Sequence, residues 1–185
     1  MHKVLRGSIR PPFPEGSQMI QFGMGCFWGA EKMFWEMAGV ISTHVGYSGG
    51  HIPNPTYKKV CRGDTGHTEV VRVVYDPSRI RLQDLLKAFW EGHDPTRDRQ
   101  NNGKGSQYKS VIHTYSDTQL QIAHQSKNIF QEILHKRGYG NITTEICSAQ
   151  EFYYAEEYHQ QYLAENPKDY CGRKHTGAKF DQNAL

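Results

Sequence analysis

Residues 18–47 read QMIQFGMGCFWGAEKMFWEMAGVISTHVGY. The first seven residues alternate between the two faces of an extended chain, which predicts a β-strand at 18–24. The apolar residues that follow recur at helical spacing: Phe27, Ala30, Phe34 and Met37. They predict a helix that ends before Gly39, and a second strand then follows at 40–47. The stretch is therefore a strand–helix–strand unit.

The remainder of the chain continues this alternation of strands and helices. The further predicted elements are a strand at 68–75, a helix at 82–90, a strand at 110–115, a helix from Ser116 to Leu134 and a strand at 142–147. Two long polar loops, 48–67 and 93–106, interrupt them. This order favours an α+β fold, with an antiparallel or mixed sheet and helices packed on one face.

Length and composition exclude several classes of protein. The chain has 185 residues, of which 37% are hydrophobic and 22% charged, so it is neither disordered nor membrane-spanning. A net charge of +3 is too small to indicate a nucleic-acid partner or an acidic membrane. We expect a single catalytic domain over 1–185, with an extended N-terminal arm at 1–17 and an irregular C-terminal tail at 160–185.

The cysteine pattern indicates a reducing compartment. Four cysteines are too few and too scattered for a disulfide scaffold, and none stands in a C-x-x-C pair. The sequence contains no H-E-x-x-H motif and no zinc-type spacing, so we expect no metal. One or two of the cysteines are then candidates for reactivity.

Cys26 stands at the predicted junction of strand and helix, in the sequence GMGCFWG at 23–29. A thiol at a helix start meets free backbone N–H groups and the positive end of the helix dipole, and both favour the thiolate. An activated cysteine nucleophile needs this arrangement. A small buried cysteine at a tight turn is the alternative.

Two other classes of enzyme share features with this junction. Glycines after a strand also occur in dinucleotide-binding turns, but the spacing here is a variant and the window at 43–46 offers no acid for the ribose. A cysteine protease or acyl transferase needs a histidine beside the thiol, and His67 and His159 are candidates. Because the chain has ten histidines, this signal is unspecific.

Glu69 and two tyrosines are further candidates. Glu69 shares a face of the strand at 68–75 with apolar residues, and an ionised acid there is costly. Its pKa should then rise, which would make it a proton donor. A solvated position at the mouth of the strand fits the same pattern. Tyr57 and Tyr108 place phenol groups in the two loops, as site residues or as ordinary surface packing.

Several motifs match one known family in order along the chain. They are GCFWG at 25–29, VGYSGG at 45–50, NPTY at 54–57, GHTEV at 66–70, FW at 89–90, HDP at 93–95, QY at 107–108, AEEYHQ at 155–160 and YCG at 170–172. Together they resemble the peptide methionine sulfoxide reductases of the A type. The resemblance extends over about residues 11 to 172.

The resemblance implies a ferredoxin-like split sheet and a thiol-dependent reduction. The substrate is the S-epimer of methionine sulfoxide, free or in oxidised proteins and peptides. By the resemblance Cys26 is the nucleophile and Glu69 donates a proton to the sulfoxide oxygen. Tyr57 and Tyr108 form hydrogen bonds to that oxygen. The substrate site is formed by Phe27 and Trp28, which surround the S-methyl group, and by His159.

The resemblance also implies how the enzyme is recycled. Cys171 resolves the sulfenic acid formed on Cys26, and thioredoxin reduces the resulting disulfide. No metal or organic cofactor, nucleic acid or membrane takes part. The implied protein is a monomer in the cytoplasm or another reducing compartment, organelles included.

The sequence departs from the family pattern at two places. Gly103 replaces an acid that normally holds the main chain of the substrate, which puts substrate preference in doubt. No second recycling cysteine follows Cys171, and we interpret Cys61 and Cys147 as structural thiols. The alternative to an enzyme is a catalytically silent ferredoxin-like binding module.

Overall fold

The computed structural model describes residues 1–100, 105–170 and 172–185. Within these residues the strands are β1 (Gln18–Met24), β2 (Val40–Ser48), β3 (Thr68–Tyr75), β4 (Ser110–Thr114), β5 (Glu145–Ser148) and β6 (Tyr153–Tyr154). The helices are α1 (Phe27–Trp35), α2 (Tyr57–Cys61), α3 (Leu82–Glu91), α4 (Asp117–Lys136) and α5 (Tyr162–Glu165). The mixed α+β fold class that the sequence predicts is confirmed.

One six-stranded sheet joins these strands in the order β5-β4-β1-β3-β2-β6. β1 pairs antiparallel with β3 and with β4, and β2 pairs antiparallel with β3 and with β6. β4 and β5 run parallel, so the sheet is mixed, as the element order indicates. Because β1 is paired on both sides, with β3 and with β4, its C-terminal end is held in place, and so is the chain that continues from it into α1.

The apolar core lies on one face of the sheet, between the strands and three helices. It includes Phe22 and Met24 from β1, Phe34 from α1, Leu85 from α3 and Phe130 from α4, each at most 1% exposed. Alternate residues of a strand point to the same face, which explains the predicted period of two along β1. No helix in the described ranges is long and apolar enough to cross a membrane.

Irregular segments cover the opposite face, where a buried arginine is surrounded by aromatic rings. The guanidinium carbon of Arg72 in β3 lies 4.4 Å from the ring centroid of Phe152 and 5.7 Å from that of Phe13. Its Nε donates to Nδ1 of His44 at 3.2 Å, and its Nη2 donates to the Tyr154 hydroxyl. The N-terminal arm and the segment around β6 thus close this face without a helix.

The two ends of the chain are more ordered than the sequence predicts. The predicted extended arm at 1–17 begins with a turn, in which the Arg6 amide donates to the His2 carbonyl at 3.0 Å, and the His2 side chain is fully buried. The predicted irregular tail at 160–185 contains α5, and short 3-10 turns follow at Pro167–Asp169 and Gln182–Ala184. Both predictions were therefore wrong in part.

Four elements also differ from the predictions. α2 lies inside the predicted loop at 48–67, where the Thr56 hydroxyl caps it by accepting a hydrogen bond from the Lys59 amide at 3.3 Å. β6 was not predicted, because two residues are too few to show a period of two. α1 ends two residues before the predicted Met37, and β5 starts at Glu145 rather than at 142.

Candidate active site

Cys26 lies at the start of α1, at the end of the central strand. Gly25 turns the chain with a φ of 92°, a conformation that glycine adopts without strain. Cys26 then occupies the N-cap position, and its side chain is partly exposed. The thiol thus lies beside the free N–H groups of the first helical turn, as the sequence predicts, and these groups favour a thiolate.

The Glu69 side chain reaches the same helix start from β3. Glu69 is 2% exposed, and its Oε1 accepts a hydrogen bond from the backbone amide of Phe27 at 3.3 Å. The alternative of a solvated acid at the mouth of the strand is therefore wrong. A buried carboxyl group and the Cys26 thiol lie at one helix N-terminus.

Two tyrosines surround these groups. Burial raises the pKa of Tyr108 above its ordinary range, and the nearby charges of Glu69 and Cys26 raise it further. Burial also raises the pKa of Tyr57, and the neighbouring groups Cys61, Tyr108 and Glu69 raise this pKa further. Tyr108 is therefore influenced by both Glu69 and Cys26, and Tyr57 by Glu69. Both hydroxyl groups stay protonated at neutral pH and can donate hydrogen bonds.

Aromatic rings form a pocket next to the thiol. The ring centroid of Phe27 lies 5.9 Å from that of Tyr47 and 5.2 Å from that of His159. Trp28 stacks on Tyr162 at 3.9 Å, and its indole N–H donates to Nδ1 of His159 at 3.0 Å. The structure therefore brings the three predicted substrate-binding residues, Phe27, Trp28 and His159, into one cluster.

His159 is neutral and has one fixed tautomer. It is 1% exposed, and burial lowers its pKa. Because Nδ1 accepts the Trp28 hydrogen bond, the ring proton resides on Nε2. This Nε2 atom is buried and has no hydrogen-bond partner among the described residues. This N–H group is therefore a buried donor beside the aromatic rings, without an acceptor among the described residues.

The two candidate histidines, His67 and His159, are not placed as bases for Cys26 in the way a cysteine protease requires. In His67, Nδ1 accepts from the Gly50 amide at 3.0 Å, so Nε2 donates to the Ile52 carbonyl at 2.7 Å. Both ring nitrogens of His67 are therefore hydrogen-bonded to the backbone of the loop that precedes β3. His159 uses Nδ1 for Trp28. Neither candidate histidine is therefore placed to act as the base of a cysteine protease or acyl transferase.

Glu156 is a site residue that sequence reasoning did not single out. Its carboxylate accepts from the Tyr47 hydroxyl and from the Tyr57 amide, each at 3.0 Å. Burial opposes ionisation, but these hydrogen bonds lower the pKa of Glu156 overall. The only signal in the sequence was its place in the AEEYHQ motif at 155–160. Glu156 fixes the first residue of α2 against β2.

The structure separates the remaining cysteines. Cys61 ends α2, where a hydrogen bond links it to the Tyr57 side chain, so it lies at the rim of the site. Cys147 is exposed on β5, and Glu145 is the charged group that affects its pKa. Within the described residues, neither thiol forms a disulfide. Cys171 and Gly103 lie outside those residues.

No group of three or more metal-binding side chains occurs in the parts of the chain that the structure describes. The site therefore consists of a thiol at a helix start, a buried carboxyl group, two phenols and an aromatic pocket. On an α+β sheet, this set of groups defines an enzyme of thiol chemistry.

A comparison with known families identifies that enzyme class further. The family model described as "Peptide methionine sulfoxide reductase" matches residues 18–184. The chain belongs to this family, and it is an oxidoreductase. The resemblance found in the sequence motifs is confirmed.

Similar proteins and structures agree with the family. The chain is 56% identical over 180 residues to a peptide methionine sulfoxide reductase of Vibrio cholerae, covering 97% of this chain and 85% of that protein. It is 58% identical over 177 residues to the mitochondrial enzyme of Bos taurus, covering 95% and 76%. The solved methionine sulfoxide reductase A of Corynebacterium diphtheriae superposes with a TM-score of 0.86 at 46% identity, covering 92% of this chain and 83% of that one.

Proposed function

We propose that this protein reduces the S-epimer of methionine sulfoxide, free or in peptides and proteins, to methionine, with Cys26 as nucleophile. The observation that carries the proposal is the hydrogen bond from the Phe27 amide to Glu69, which places a buried carboxyl group beside the thiol. A sulfoxide oxygen leaves only when it is protonated, so thiol attack requires an acid at this position.

The chemical step uses the groups of the site in fixed roles. The Cys26 thiolate attacks the sulfoxide sulfur and forms a transient S–S bond. This bond and the S–O bond of the substrate then break as the oxygen, now protonated, joins the Cys26 sulfur. The products are methionine and a sulfenic acid on Cys26. Glu69 supplies the proton to the oxygen, and the removal of its side chain from water, at 2% exposure, favours the neutral carboxylic acid. Tyr57 and Tyr108 donate hydrogen bonds to the same oxygen, which stabilises the charge that develops on it.

The aromatic pocket provides the specificity. Phe27 and Trp28 surround the S-methyl group, since both rings lie next to the thiol on the first turn of α1. Sulfur and methyl groups pack favourably against aromatic rings. His159 orients the Trp28 ring through its hydrogen bond and presents Nε2–H to the substrate.

Recycling of the enzyme runs through a disulfide. A sulfenic acid is trapped readily by a second thiol. We assign that thiol to Cys171, whose neighbour Tyr170 is 57% exposed on the surface. Thioredoxin then reduces the disulfide. A yeast protein of the same fold, Mxr1, has been solved in complex with Trx2, and its reduced form is 36% identical to this chain.

Three further properties belong to the same proposal. The four central strands follow the order β4-β1-β3-β2 with α1 and α3 as connections, which supports a ferredoxin-like split βαβ arrangement. The protein works as a single-domain monomer without a metal or organic cofactor. It works in a reducing compartment, cytoplasmic or organellar, in line with its bacterial and mitochondrial relatives.

An assay with resolved epimers tests the proposal. The protein, with dithiothreitol as reductant, should convert peptide methionine S-sulfoxide to methionine and leave the R-epimer unchanged. Cys26→Ser should abolish the reaction. A protein that binds the S-epimer without turnover would be the silent binding module instead, which the family relationship does not favour.

A further inference from the structure

A buried polar cluster lies on the side of α1 that faces away from the solvent. It consists of Glu31 on α1, Thr43 on β2, Gln161 before α5 and His2 in the N-terminal arm, and the side chains of all four are fully buried. The four residues are far apart in sequence. Polar groups in such a position are retained only when they are fully hydrogen-bonded.

The hydrogen bonds of this cluster all point towards one carboxyl group. Glu31 Oε1 accepts from the Gln161 amide at 2.7 Å, and Oε2 accepts from Gln161 Nε2 at 2.8 Å. Oε2 also accepts from the Thr43 hydroxyl at 2.7 Å. His2 Nδ1 accepts from the Leu5 amide at 2.9 Å, so its Nε2–H donates to Thr43 at 2.7 Å. Three donors therefore converge on the two carboxyl oxygens, an arrangement that suits the ionised carboxylate, which only accepts.

Glu31 titrates close to neutral pH in this environment. Burial raises its pKa to about 7, although the three hydrogen bonds and the charge of Lys3 act in the opposite direction. The other titratable group that faces it is His2, 4.0 Å away, and burial lowers the pKa of His2 to about 4. His2 is thus neutral at pH 7, and protonation of the cluster in that range occurs on Glu31.

The cluster holds the backbone that carries His159. Gln161 has a φ of 49°, in the left-handed region, where a residue other than glycine is strained. Its amide and side chain are both bonded to Glu31. The preceding Gln160 is fixed as well, because its side-chain amide pairs with both the N–H and the C=O of Val45, at 2.9 and 2.8 Å. The position of His159 in the pocket is therefore set by the hydrogen bonds of the two residues that follow it.

We propose that Glu31 is a positioning residue of the substrate pocket, whose carboxylate clamps Gln161 to α1 and thereby holds His159 against Trp28. The proposal rests on the function proposed above. Trp28 and Glu31 lie on the same helix, three residues apart. Through Glu31, the helix that carries the thiol therefore also fixes the opposite wall of the pocket.

Glu31→Gln tests the clamp, because it keeps the shape but turns an N–H₂ group towards donors. With dithiothreitol as reductant, KM for a methionine S-sulfoxide peptide should rise on the order of tenfold, the scale of one lost charge-assisted hydrogen bond, while kcat changes less. In the wild type KM should rise as the pH falls below about 7, because Glu31 becomes protonated. In Glu31→Gln this dependence should be absent.

Two controls separate positioning from general destabilisation. Glu91→Gln removes a partly buried carboxylate at the end of α3, which accepts from the Phe180 amide at 2.8 Å, and should leave KM unchanged. Thr43→Val removes one donor to Glu31, together with the acceptor of His2, and should raise KM less than Glu31→Gln. If Glu31→Gln does not fold, Thr43→Val still decides the outcome.

Nitrogen NMR of His159 provides a readout that does not depend on turnover. The wild type should show Nδ1 unprotonated, and Glu31→Gln should show a mixture of tautomers. An unchanged KM together with an unchanged His159 signal in Glu31→Gln would overturn the clamp. Wild-type protein that lacks activity while the His159 signal still responds to Glu31→Gln would refute the proposed function alone.

Discussion

Tyr47 of β2 lies directly opposite Glu69 of β3 in the antiparallel register, so the phenol and the carboxyl group lie on the same face of the sheet. The Tyr47 hydroxyl donates to the Glu156 carboxylate at 3.0 Å, and this carboxylate also accepts from the Tyr57 amide. The floor of the site is thus built by strand pairing. A slip of one residue in this register would turn both side chains to the opposite face.

Replacement of Glu69 should slow the chemical step. Glu69→Gln keeps an oxygen for the Phe27 amide but cannot donate a proton as a carboxylic acid does. General acid catalysis is typically worth ~10²–10⁴-fold, so the single-turnover rate of sulfoxide reduction should fall on that scale. Rapid-quench measurement of methionine release checks this. A loss of less than about tenfold would show that Glu69 has a structural role only.

Cys26 should be the most reactive of the described thiols. The helix start favours its thiolate. Although Cys61 and Cys147 are largely exposed, partial removal from water raises the pKa of each and reduces its thiolate fraction. Limited treatment with iodoacetamide at neutral pH, followed by mass-spectrometric mapping, should find Cys26 modified first. Equal labelling of the three thiols would argue against an activated nucleophile.

Cys171→Ser should interrupt recycling. With thioredoxin as reductant, the variant should release about one equivalent of methionine per enzyme and then stop, because no disulfide forms for thioredoxin to attack. Dithiothreitol should restore part of the turnover, since small thiols attack the sulfenic acid directly.

Two matched variants complete this experiment. Cys61→Ser and Cys147→Ser should cycle almost normally with thioredoxin. Cys61 is the more demanding control, because the structure places it at the rim of the site beside Tyr57. Normal cycling of Cys171→Ser combined with arrest of Cys61→Ser would transfer the resolving role to Cys61.

Stability should fall as the pH is lowered through 6.5, owing to buried neutral histidines. In His93, Nδ1–H donates to the Phe89 carbonyl and Nε2 accepts from the Ser110 hydroxyl, both at 2.7 Å. Burial lowers its folded-state pKa from 6.5 to about 3. Between these values the unfolded chain binds a proton that the folded chain does not, so folding loses about 1.4 kcal/mol per pH unit.

His93→Gln should remove this contribution, since the amide offers a donor and an acceptor without titrating. Urea unfolding at pH 7 and pH 5 measures the effect. The wild type should lose roughly 2 kcal/mol more than the variant between those pH values. An identical loss in both proteins would mean that His93 is not the group that titrates.

The sequence predicted the central part of the fold because its patterns are local. The alternation of Ile20, Phe22 and Met24, and the helical spacing from Phe27 onwards, follow directly from which face is buried. α2 was missed because glycines, prolines and an asparagine surround it, and the five-residue helix depends on its Thr56 cap.

The site was predictable in its residues but less so in its geometry. Alternation alone left Glu69 between a buried and a solvated position, and only the pairing with β2 and the contact with α1 decide it. The cluster around Glu31 had no signal at all, because its partners come from segments up to 130 residues away. Contacts between such distant segments form only in the folded chain and leave no local pattern in the sequence.

The side chain of Gln160 has a consequence for how this sheet ends. β6 pairs with only two residues of β2; beyond it the Val45 carbonyl still accepts from the Ala155 amide at 3.0 Å, but the outward Val45 N–H has no strand partner there among the described residues. Exposed strand edges of this kind are templates for aggregation. Gln160 occupies both groups with one side-chain amide. A single residue thereby protects the chain against edge-to-edge assembly at a position where its own strand is too short to do so.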